Sequence, residues 1–282
     1  MEKEKQKQIV EQALAGNSEA LEMLLKEVND LVFNLSLRML GGIEDAKDAT
    51  QEILIRVITK LSTFQQESSF QTWVYRIASN YLINYQKTMF AKHPLSFEFY
   101  EQDIRMGYTK SSKELFDEQL EDALSEELKL SCTNVMLQCL DASTRCIFVL
   151  GTMFHVDSRI ASQILDITPE LYRQRLSRAR KKMASFLYAN CGLSETGICQ
   201  CKKRIQYAIS SHRLDPTRLA YSKLQVLDEW KLSSIRGVMQ YFEDQMPVFE
   251  QLPMYESEIS EASFISSLVH SDAMTSLMEE QQ

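Results

Sequence analysis

Apolar residues recur at three- and four-residue intervals along most of this chain, which is the spacing of amphipathic α-helices. The first long stretch covers residues 19–40. Its apolar stripe consists of Leu21, Leu24, Leu25, Val28, Leu31, Val32, Leu35 and Met39. Ser18 is the predicted N-cap of this helix. The pair Gly41-Gly42 is predicted to end it, because glycine readily adopts the left-handed conformation that follows helix C-termini.

Two more amphipathic helices follow the glycine pair. One covers about 44–61, and its buried side is Ile53, Leu54, Val57, Ile58 and Leu61. After the polar loop 62–69, a capping box of Ser68 and Gln71 is predicted to start another helix near 69–87. Its inward side chains are Phe70, Trp73, Val74, Ile77, Ala78, Tyr81 and Tyr85. Its polar stripe, which leaves the core, is Arg76, Asn80, Asn84 and Lys87.

The rest of the chain divides by charge and pattern. Residues 96–130 hold ten acidic and four basic side chains, and a second helical unit follows them. Residues 203–246 also have a helical pattern, while the tail from Glu243 onward has nine acids and no Lys or Arg. We therefore predict an all-α protein with two small helical domains and a mostly helical extension. The predicted boundaries are 1–93 for the first domain, 94–124 for an acidic linker, 125–189 for the second domain and 190–282 for the extension.

Composition agrees with this division. A chain of 282 residues with only 8 glycines and 5 prolines is typical of several small helical domains. It contains no apolar run long enough to cross a membrane and no apolar N-terminal stretch like that of a signal peptide. We therefore expect a cytoplasmic protein without a membrane partner. The formal net charge is −8, so any basic surface is a local feature.

The strongest local feature is the stretch 157–182, which predicts two helices joined by a tight turn. Thr168 and Pro169 suit the N-cap and the first position of the second helix. This helix has one acid, Glu170, and six bases, which are Arg173, Arg175, Arg178, Arg180, Lys181 and Lys182. Such a helix-turn-helix places its second helix in the major groove of DNA. A basic amphipathic helix that binds an acidic protein or a membrane surface is the alternative.

The expected contacts of this basic helix depend on position. Glu170, Arg173 and Gln174 lie in its first exposed turns and can reach base edges, arginine toward guanine and glutamine toward adenine. Arg178, Lys181 and Lys182 lie further along and suit phosphates. Arg175 and Arg180 are predicted nearer to the packing side.

Two separate stretches resemble one protein family. Residues 44–57, Glu-Asp-Ala-Lys-Asp-Ala-Thr-Gln-Glu-Ile-Leu-Ile-Arg-Val, resemble the polymerase-binding helix of bacterial sigma factors. Residues 64–80, Phe-Gln-Gln-Glu-Ser-Ser-Phe-Gln-Thr-Trp-Val-Tyr-Arg-Ile-Ala-Ser-Asn, resemble the promoter-melting loop and helix that follow it. With the helix-turn-helix, the resemblance is to the extracytoplasmic-function class of the sigma-70 family and covers about 10–188. The sequence departs from that pattern at Leu140-Asp141 and at His155-Val156-Asp157, although Asp157 can still cap a helix.

The resemblance implies a transcription initiation factor rather than an enzyme, with no required cofactor. Asp45, Asp48, Gln51 and Glu52 would dock on a helical clamp of core RNA polymerase, where charge sets the rate and register of docking. Promoter contacts in the minus-ten element would come from Gln66, Ser68, Ser69, Arg76, Asn80, Asn84 and Lys87. The second domain would bind the minus-thirty-five element, and a flexible linker would leave the domains apart, at a span fixed by the polymerase. An anti-sigma factor is a further partner that the family allows.

The six cysteines form two groups. Cys132, Cys139 and Cys146 are seven residues apart and are predicted to lie in the core. Cys191, Cys199 and Cys201 lie near glycines, and with His212 they are candidate ligands for a zinc ion. Redox-sensitive and inert thiols are the alternatives for this second group.

Two other functions fit parts of the sequence. One is a helix-turn-helix regulator that binds duplex DNA without polymerase. The other is a metal or redox sensor, or a zinc-dependent enzyme, built on the region after Cys191. For the acidic tail, we consider two roles: covering the basic helix when polymerase is absent, or acting as a solubilising or partner-docking segment.

Overall fold

The computed structural model describes residues 2–85, 87, 89–107, 116–192, 197–227, 249, 252–257 and 264–271. Within these ranges the chain forms helices and two isolated β-bridges but no strand, which confirms the all-α prediction. We number the helices α1 Glu2–Leu14, α2 Ser18–Leu40, α3 Ile43–Thr59, α4 Phe70–Ile83, α5 Met89–Lys92, α6 Phe97–Met106, α7 Glu118–Leu137, α8 Ala142–Phe148, α9 Ser158–Leu165, α10 Pro169–Asn190, α11 Cys201–Ser210 and α12 Phe264–Val269.

The first three predicted helices form as α2, α3 and α4, but two predicted caps were wrong. Asn17, not Ser18, caps α2, and its side chain accepts a hydrogen bond from the Ala20 N–H at 3.0 Å. Ser69, not Ser68, caps α4 by accepting from the Thr72 N–H at 3.1 Å. In each case the residue in extended conformation directly before the first helical residue is the one that caps.

The end of α2 matches its prediction. Gly41 has φ 78°, in the left-handed region, and its N–H donates to the Leu37 carbonyl. This reversal places α3 directly beside α2, and the two helices bury their apolar sides against each other. Helix α1, which we did not predict, packs on the other end of α2 through Val10 and Ala13.

The predicted acidic linker contains packed helices. Helix α6 lies within it and buries Phe97, Tyr100 and Ile104. Helix α7 starts at Glu118, capped by Asp117, and so begins before the predicted domain boundary at 125. Acidic residues occupy much of the exposed sides of these helices, and their high density favoured the prediction of a linker. The apolar residues on the opposite sides of the helices are nevertheless buried.

The helix-turn-helix forms as predicted. Asp157 caps α9 by accepting from the Arg159 N–H, and Thr168 caps α10 with Pro169 at its first position. Between them, Asp166 ends α9 in the left-handed conformation with φ 53°. A short π-helical turn, Val149–Met153, continues α8 and leads into this unit.

The two units that are predicted to bind DNA touch, which corrects the prediction that the linker leaves them apart. Helix α4 packs on α9, and the ring of Tyr75 lies 6.2 Å from that of Phe154. The guanidinium of Arg76 donates two hydrogen bonds to the Gln163 carbonyl, at 2.9 and 3.2 Å. One continuous apolar core runs through both units.

The described part of the extension is less helical than predicted, and its tail packs on α2 and α8. We predicted a helical pattern over 203–246. Among the described residues of this range, those up to Ser210 belong to α11, and 211–227 form turns and irregular structure. Residues 228–246 lie outside the described residues. In the described part of the tail, the 252–257 segment and α12 pack on α2, and the ring of Phe249 lies 5.2 Å from that of Phe148 on α8. The described tail residues thus attach to α2 and α8. Eight of the nine tail acids lie outside the described residues, so the hypothesis that the acidic tail covers the basic helix stays a prediction.

The extension is joined to α2 and α7 by hydrogen bonds. The Asn34 amide donates to the Tyr255 carbonyl at 2.7 Å and accepts from the Tyr255 N–H at 2.8 Å. The fully buried guanidinium of Arg38 donates to Asn134 and to the carbonyl of Pro253, and lies over the Tyr255 ring. The carboxylate of Glu127 accepts from the N–H groups of residues 221 and 222. These bonds make the extension part of the folded body.

Candidate nucleic-acid and polymerase interface

A cleft of about 720 Å³ lies between α3 and α4. We call it the α3–α4 cleft. Its lining is Glu52, Arg56, Lys60, Thr63, Trp73, Arg76, Ile77, Asn80, Tyr81, Asn84, Tyr85 and Lys87. The structure therefore brings together all four members of the predicted polar stripe, Arg76, Asn80, Asn84 and Lys87. Asn80 and Asn84 follow each other by one turn of α4, and the Asn84 side chain donates to the Asn80 carbonyl at 2.8 Å.

The chemistry of this cleft suits a single nucleic-acid strand. Four of its lining residues are cationic and one is acidic, so the cleft carries net positive charge. The side chains of Trp73 and Tyr81 are partly exposed within it and offer flat faces for bases. Cationic grooves with aromatic faces bind unstacked strands, and amides can hydrogen-bond base edges.

Sequence reasoning missed part of the cleft. Trp73, Tyr81 and Tyr85 had been assigned to the core, and Arg56 and Lys60 had no role. The Arg56 guanidinium lies 4.8 Å from the centre of the Tyr81 ring, an arrangement typical of a cation–π contact. The signal was present in the spacing, because Arg56 and Lys60 lie one helical turn apart, as do Trp73, Ile77, Tyr81 and Tyr85.

The loop before α4 is less available than predicted. The Ser69 hydroxyl accepts from the Thr72 N–H, so it already serves the helix cap. The Ser68 hydroxyl donates to the Ser69 carbonyl at 3.3 Å. Gln66 is exposed, with φ 58° at the turn of the loop. Of the three loop residues predicted to contact DNA, Gln66 is thus the one whose side chain is exposed.

The four predicted polymerase-binding residues, Asp45, Asp48, Gln51 and Glu52, share one side of α3, which we call the acidic face. Asp48 and Glu52 are exposed, and Asp45 and Gln51 are partly buried. Burial, followed by the nearby Asp48 carboxylate, raises the pKa of Asp45 above its ordinary value. Glu52 also lines the α3–α4 cleft, so the acidic face and the cleft are contiguous.

The negative charge of the acidic face affects the pKa of the nearby Tyr85 hydroxyl. Burial raises the pKa of Tyr85, and the carboxylates of Asp45, Asp48 and Glu52 raise it further. The molecule therefore places a negative surface directly beside a positive cleft. Such a division suits two partners of opposite charge that bind at neighbouring positions.

The predicted DNA-reading residues of α10 are all exposed, namely Glu170, Arg173, Gln174, Arg178, Lys181 and Lys182. Arg173 donates to Glu170 at 2.8 Å and to the Ser158 hydroxyl at 3.3 Å. These contacts position the guanidinium at the start of the helix, where a recognition helix meets base edges.

The other two arginines of α10 have different roles. Arg175 is exposed, so its predicted place near the packing side was wrong; with Arg178 and Lys182 it lines a groove of about 650 Å³ beside the start of α8. Arg180 does pack inward, where it donates to the Thr152 hydroxyl at 3.0 Å and to the Gly151 carbonyl at 3.1 Å. It joins α10 to the π-helical turn.

The cysteines behave mainly as buried thiols. Cys139 and Cys146 are buried, as predicted, while Cys132 is partly exposed and its sulfur lies 2.8 Å from the Tyr100 hydroxyl. Burial raises the pKa of Cys132 to about 12 and that of Cys201 to about 11. Thiols with raised pKa values are poor nucleophiles at neutral pH.

The candidate zinc ligands do not form a set. Cys191 and Cys199 are joined by a backbone bridge, and Cys201 begins α11, but His212 lies beyond the other end of that helix. Across the described residues, no three His, Cys, Asp or Glu side chains are grouped to hold a metal ion. Cys199, Cys201 and His212 do line one cavity, and zinc binding by Cys191, Cys199, Cys201 and His212 stays a prediction.

Comparison with known proteins shows that this chain is similar to bacterial RNA polymerase sigma factors. Residues 24–88 match the family model described as sigma-70 region 2. The chain is 28% identical to the ECF RNA polymerase sigma factor SigW of Bacillus subtilis over 179 residues, which are 63% of this chain and 94% of that protein. It is 25% identical to an ECF RNA polymerase sigma-E factor of Haemophilus influenzae over 173 residues, 61% of this chain and 90% of the relative. With the RNA polymerase sigma-H factor of Pseudomonas aeruginosa it shares 32% identity over 77 residues, 27% of this chain and 40% of the relative.

The matched region contains both surfaces described above. Residues 24–88 include the acidic face and the whole lining of the α3–α4 cleft. Among the described residues, no helix combines the length and apolar character needed to cross a membrane.

Proposed function

This chain belongs to the extracytoplasmic-function class of the sigma-70 family, and from this membership we propose that it binds bacterial core RNA polymerase, directs it to particular promoters and assists strand separation. Sigma factors are initiation factors and not enzymes, so RNA synthesis is the work of the polymerase. Promoter DNA and core polymerase are the two proposed partners, and an anti-sigma factor is a third that the family allows. A cytoplasmic location follows from these partners.

The α3–α4 cleft is the observation that carries this proposal. A sigma factor must capture one strand after its bases unstack, at a cost of a few kcal/mol per base. In the cleft, Trp73 and Tyr81 replace lost stacking, and Asn80 and Asn84 offer hydrogen bonds to a base edge. The neighbouring cations neutralise phosphates of the same strand.

The acidic face supports the second part of the proposal. Core polymerase would bind Asp48 and Glu52 through arginine and lysine side chains, because both carboxylates are exposed. Because the acidic face adjoins the cleft, polymerase bound to Asp48 and Glu52 would hold the single strand next to the cleft. The strand would therefore reach the cleft only when polymerase is bound. A free helix-turn-helix regulator has no need for this arrangement.

The packed arrangement of the two units must open during this process. The minus-ten and minus-thirty-five elements lie roughly 25 base pairs apart, on the order of 80 Å at about 3.4 Å per base pair. Helix α4 and the helix-turn-helix cannot read both elements while α4 packs on α9. Opening would also release Arg76 from the Gln163 carbonyl and free its guanidinium for phosphate. We therefore interpret the compact form as the state without polymerase.

Run-off transcription with purified core polymerase tests the proposal. The expected result is a defined transcript that requires this chain and its promoter. Arg76→Ala should weaken open-complex formation, whereas the matched control Arg105→Ala, an exposed arginine paired with Glu101 on α6, should not. Binding to duplex promoter DNA without polymerase, together with no transcript in its presence, would favour the independent regulator and refute the sigma function.

A further inference from the structure

A second cavity, of about 560 Å³, lies where α6, α7 and α11 meet. We call it the extension cavity, because α11 of the extension closes one side of it. It is separate from the α3–α4 cleft and from the helix-turn-helix. Its volume is in the range of cavities that hold small organic molecules.

Most of the wall is apolar. The apolar lining residues are Phe90, Leu95, Phe99, Tyr100, Leu128, Val135 and Ala208. Phe99 is 54% exposed, although large aromatic side chains are usually buried in a folded chain. An apolar ligand in the cavity would cover this ring and remove its surface from water.

One charged group interrupts the apolar wall. The carboxylate of Asp103, 3% exposed, accepts hydrogen bonds from Arg204 at 2.8 Å, from Arg213 at 2.6 Å and from the Tyr207 hydroxyl at 2.7 Å. Asp103, Arg204 and Arg213 are the charged residues among the described lining of the cavity. Two guanidiniums thus share one carboxylate, and the group has a net charge of about +1.

This net positive charge beside an apolar wall favours a monoanion, and the 46% exposed side chain of Arg213 keeps the pair accessible from solvent. Arginine side chains present planar sets of donors that match a carboxylate. A ligand that fits both features has an apolar body and one carboxylate. We propose that the extension cavity binds a small amphipathic carboxylic acid, with its carboxylate on Arg204 and Arg213 and its apolar part against α6 and α7.

Such a ligand would lie close to the DNA-reading helix. Tyr100, which lines the cavity, stacks on Phe186 of α10 with ring centres 5.8 Å apart. Phe97, on the same helix α6, lies 5.0 Å from Phe186, and the ammonium of Lys182 lies 4.9 Å from the Phe97 ring. Filling the cavity would therefore stiffen the support of α10 through α6.

Calorimetric titration of the full chain with decanoate tests the proposal. Decanol and decylamine serve as neutral and cationic ligands with the same chain length. Saturable decanoate binding is expected, at least roughly tenfold tighter than decanol, because the charge-assisted hydrogen bonds need the carboxylate. Equal affinity for decanoate and decanol, or no saturable decanoate binding, would overturn the proposal.

Two variants locate the site. Arg213→Gln should reduce decanoate affinity at least roughly tenfold and leave decanol affinity unchanged, whereas Arg105→Gln on the outer side of α6 should change neither. If Arg213→Gln proves unfolded by circular dichroism, Ser131→Trp, which fills the cavity from α7, replaces it and should abolish decanoate binding. Unchanged decanoate binding by a folded variant would place the ligand elsewhere. Transcription is not needed for either measurement, so failure here leaves the sigma function untouched.

Discussion

Replacing Tyr75 by phenylalanine should stabilise the protein. Tyr75 on α4 is 1% exposed, and its hydroxyl has no hydrogen-bond partner among the described residues. Its ring packs against Phe154, which belongs to the helix-turn-helix unit. A buried hydroxyl without a partner costs about 1–3 kcal/mol, so removing it should raise the free energy of unfolding by about 1 kcal/mol or more.

The stability gained by removing the Tyr75 hydroxyl should favour the packed arrangement, in which α4 contacts the helix-turn-helix. If opening exposes the Tyr75 hydroxyl to water, only the closed form bears the cost of burying it. A change of about 1.4 kcal/mol is tenfold in an equilibrium constant. When polymerase binds the open form, its apparent affinity for Tyr75→Phe should therefore fall roughly five- to tenfold.

Urea unfolding and a core-polymerase binding titration measure these two effects. Tyr172→Phe is the matched control, because the Tyr172 hydroxyl is buried but donates to the Ile147 carbonyl at 3.3 Å. That substitution should cost about 0.5–1.5 kcal/mol. The reasoning is refuted if Tyr75→Phe is no more stable than the wild type, or if both substitutions change stability in the same direction.

Substitutions of Asp103, Arg178 and Asn34 test three further contacts. Burial of Asp103 raises its pKa, but the hydrogen bonds that it accepts outweigh burial and lower the pKa below 3.8. The stability that Asp103 contributes is therefore present above pH 3.8 and is lost as pH falls through the folded-state pKa. In thermal melts, Asp103→Asn should cost less stability at about pH 3 than at about pH 7. Arg178→Ala should weaken duplex binding for every sequence and reduce the salt-dependence slope by about 1, measured by anisotropy. Asn34→Ala removes both bonds to Tyr255 and should cost about 2 kcal/mol or more, whereas Asn29→Ala, at a buried amide with no partner among the described residues, should cost less.

The sequence pattern was sufficient for the helices with long apolar stripes. Helices α2, α3 and α4 and the α9–α10 pair follow from periodicity, caps and Gly41, because each of these signals is local. Periodicity did not identify the correct cap between adjacent candidates such as Ser68 and Ser69. That choice depends on which residue is extended, and this is set by the path of the preceding loop.

Features that depend on distant residues were not predictable in the same way. Nothing local shows that Asn34 bonds residue 255 or that Asp103 meets Arg204, because about one hundred residues or more separate the partners. Exposed acids on α6 and α7 suggested a flexible linker, and only the packed structure shows their buried sides. Trp73 and Tyr81 were assigned to the core because helical spacing does not distinguish a buried position from the wall of a cleft.

The hydrogen bonds that join the extension to Asn34 and Arg38 of α2 change how the role of the extension should be studied. A protein shortened near residue 190 would leave the Asn34 amide and one side of the Arg38 guanidinium without their present partners, and it would expose the side of α2 that the extension covers. Loss of transcription by that shortened protein would report misfolding as readily as lost regulation. Single substitutions that keep the chain whole are the appropriate genetic tool for this region.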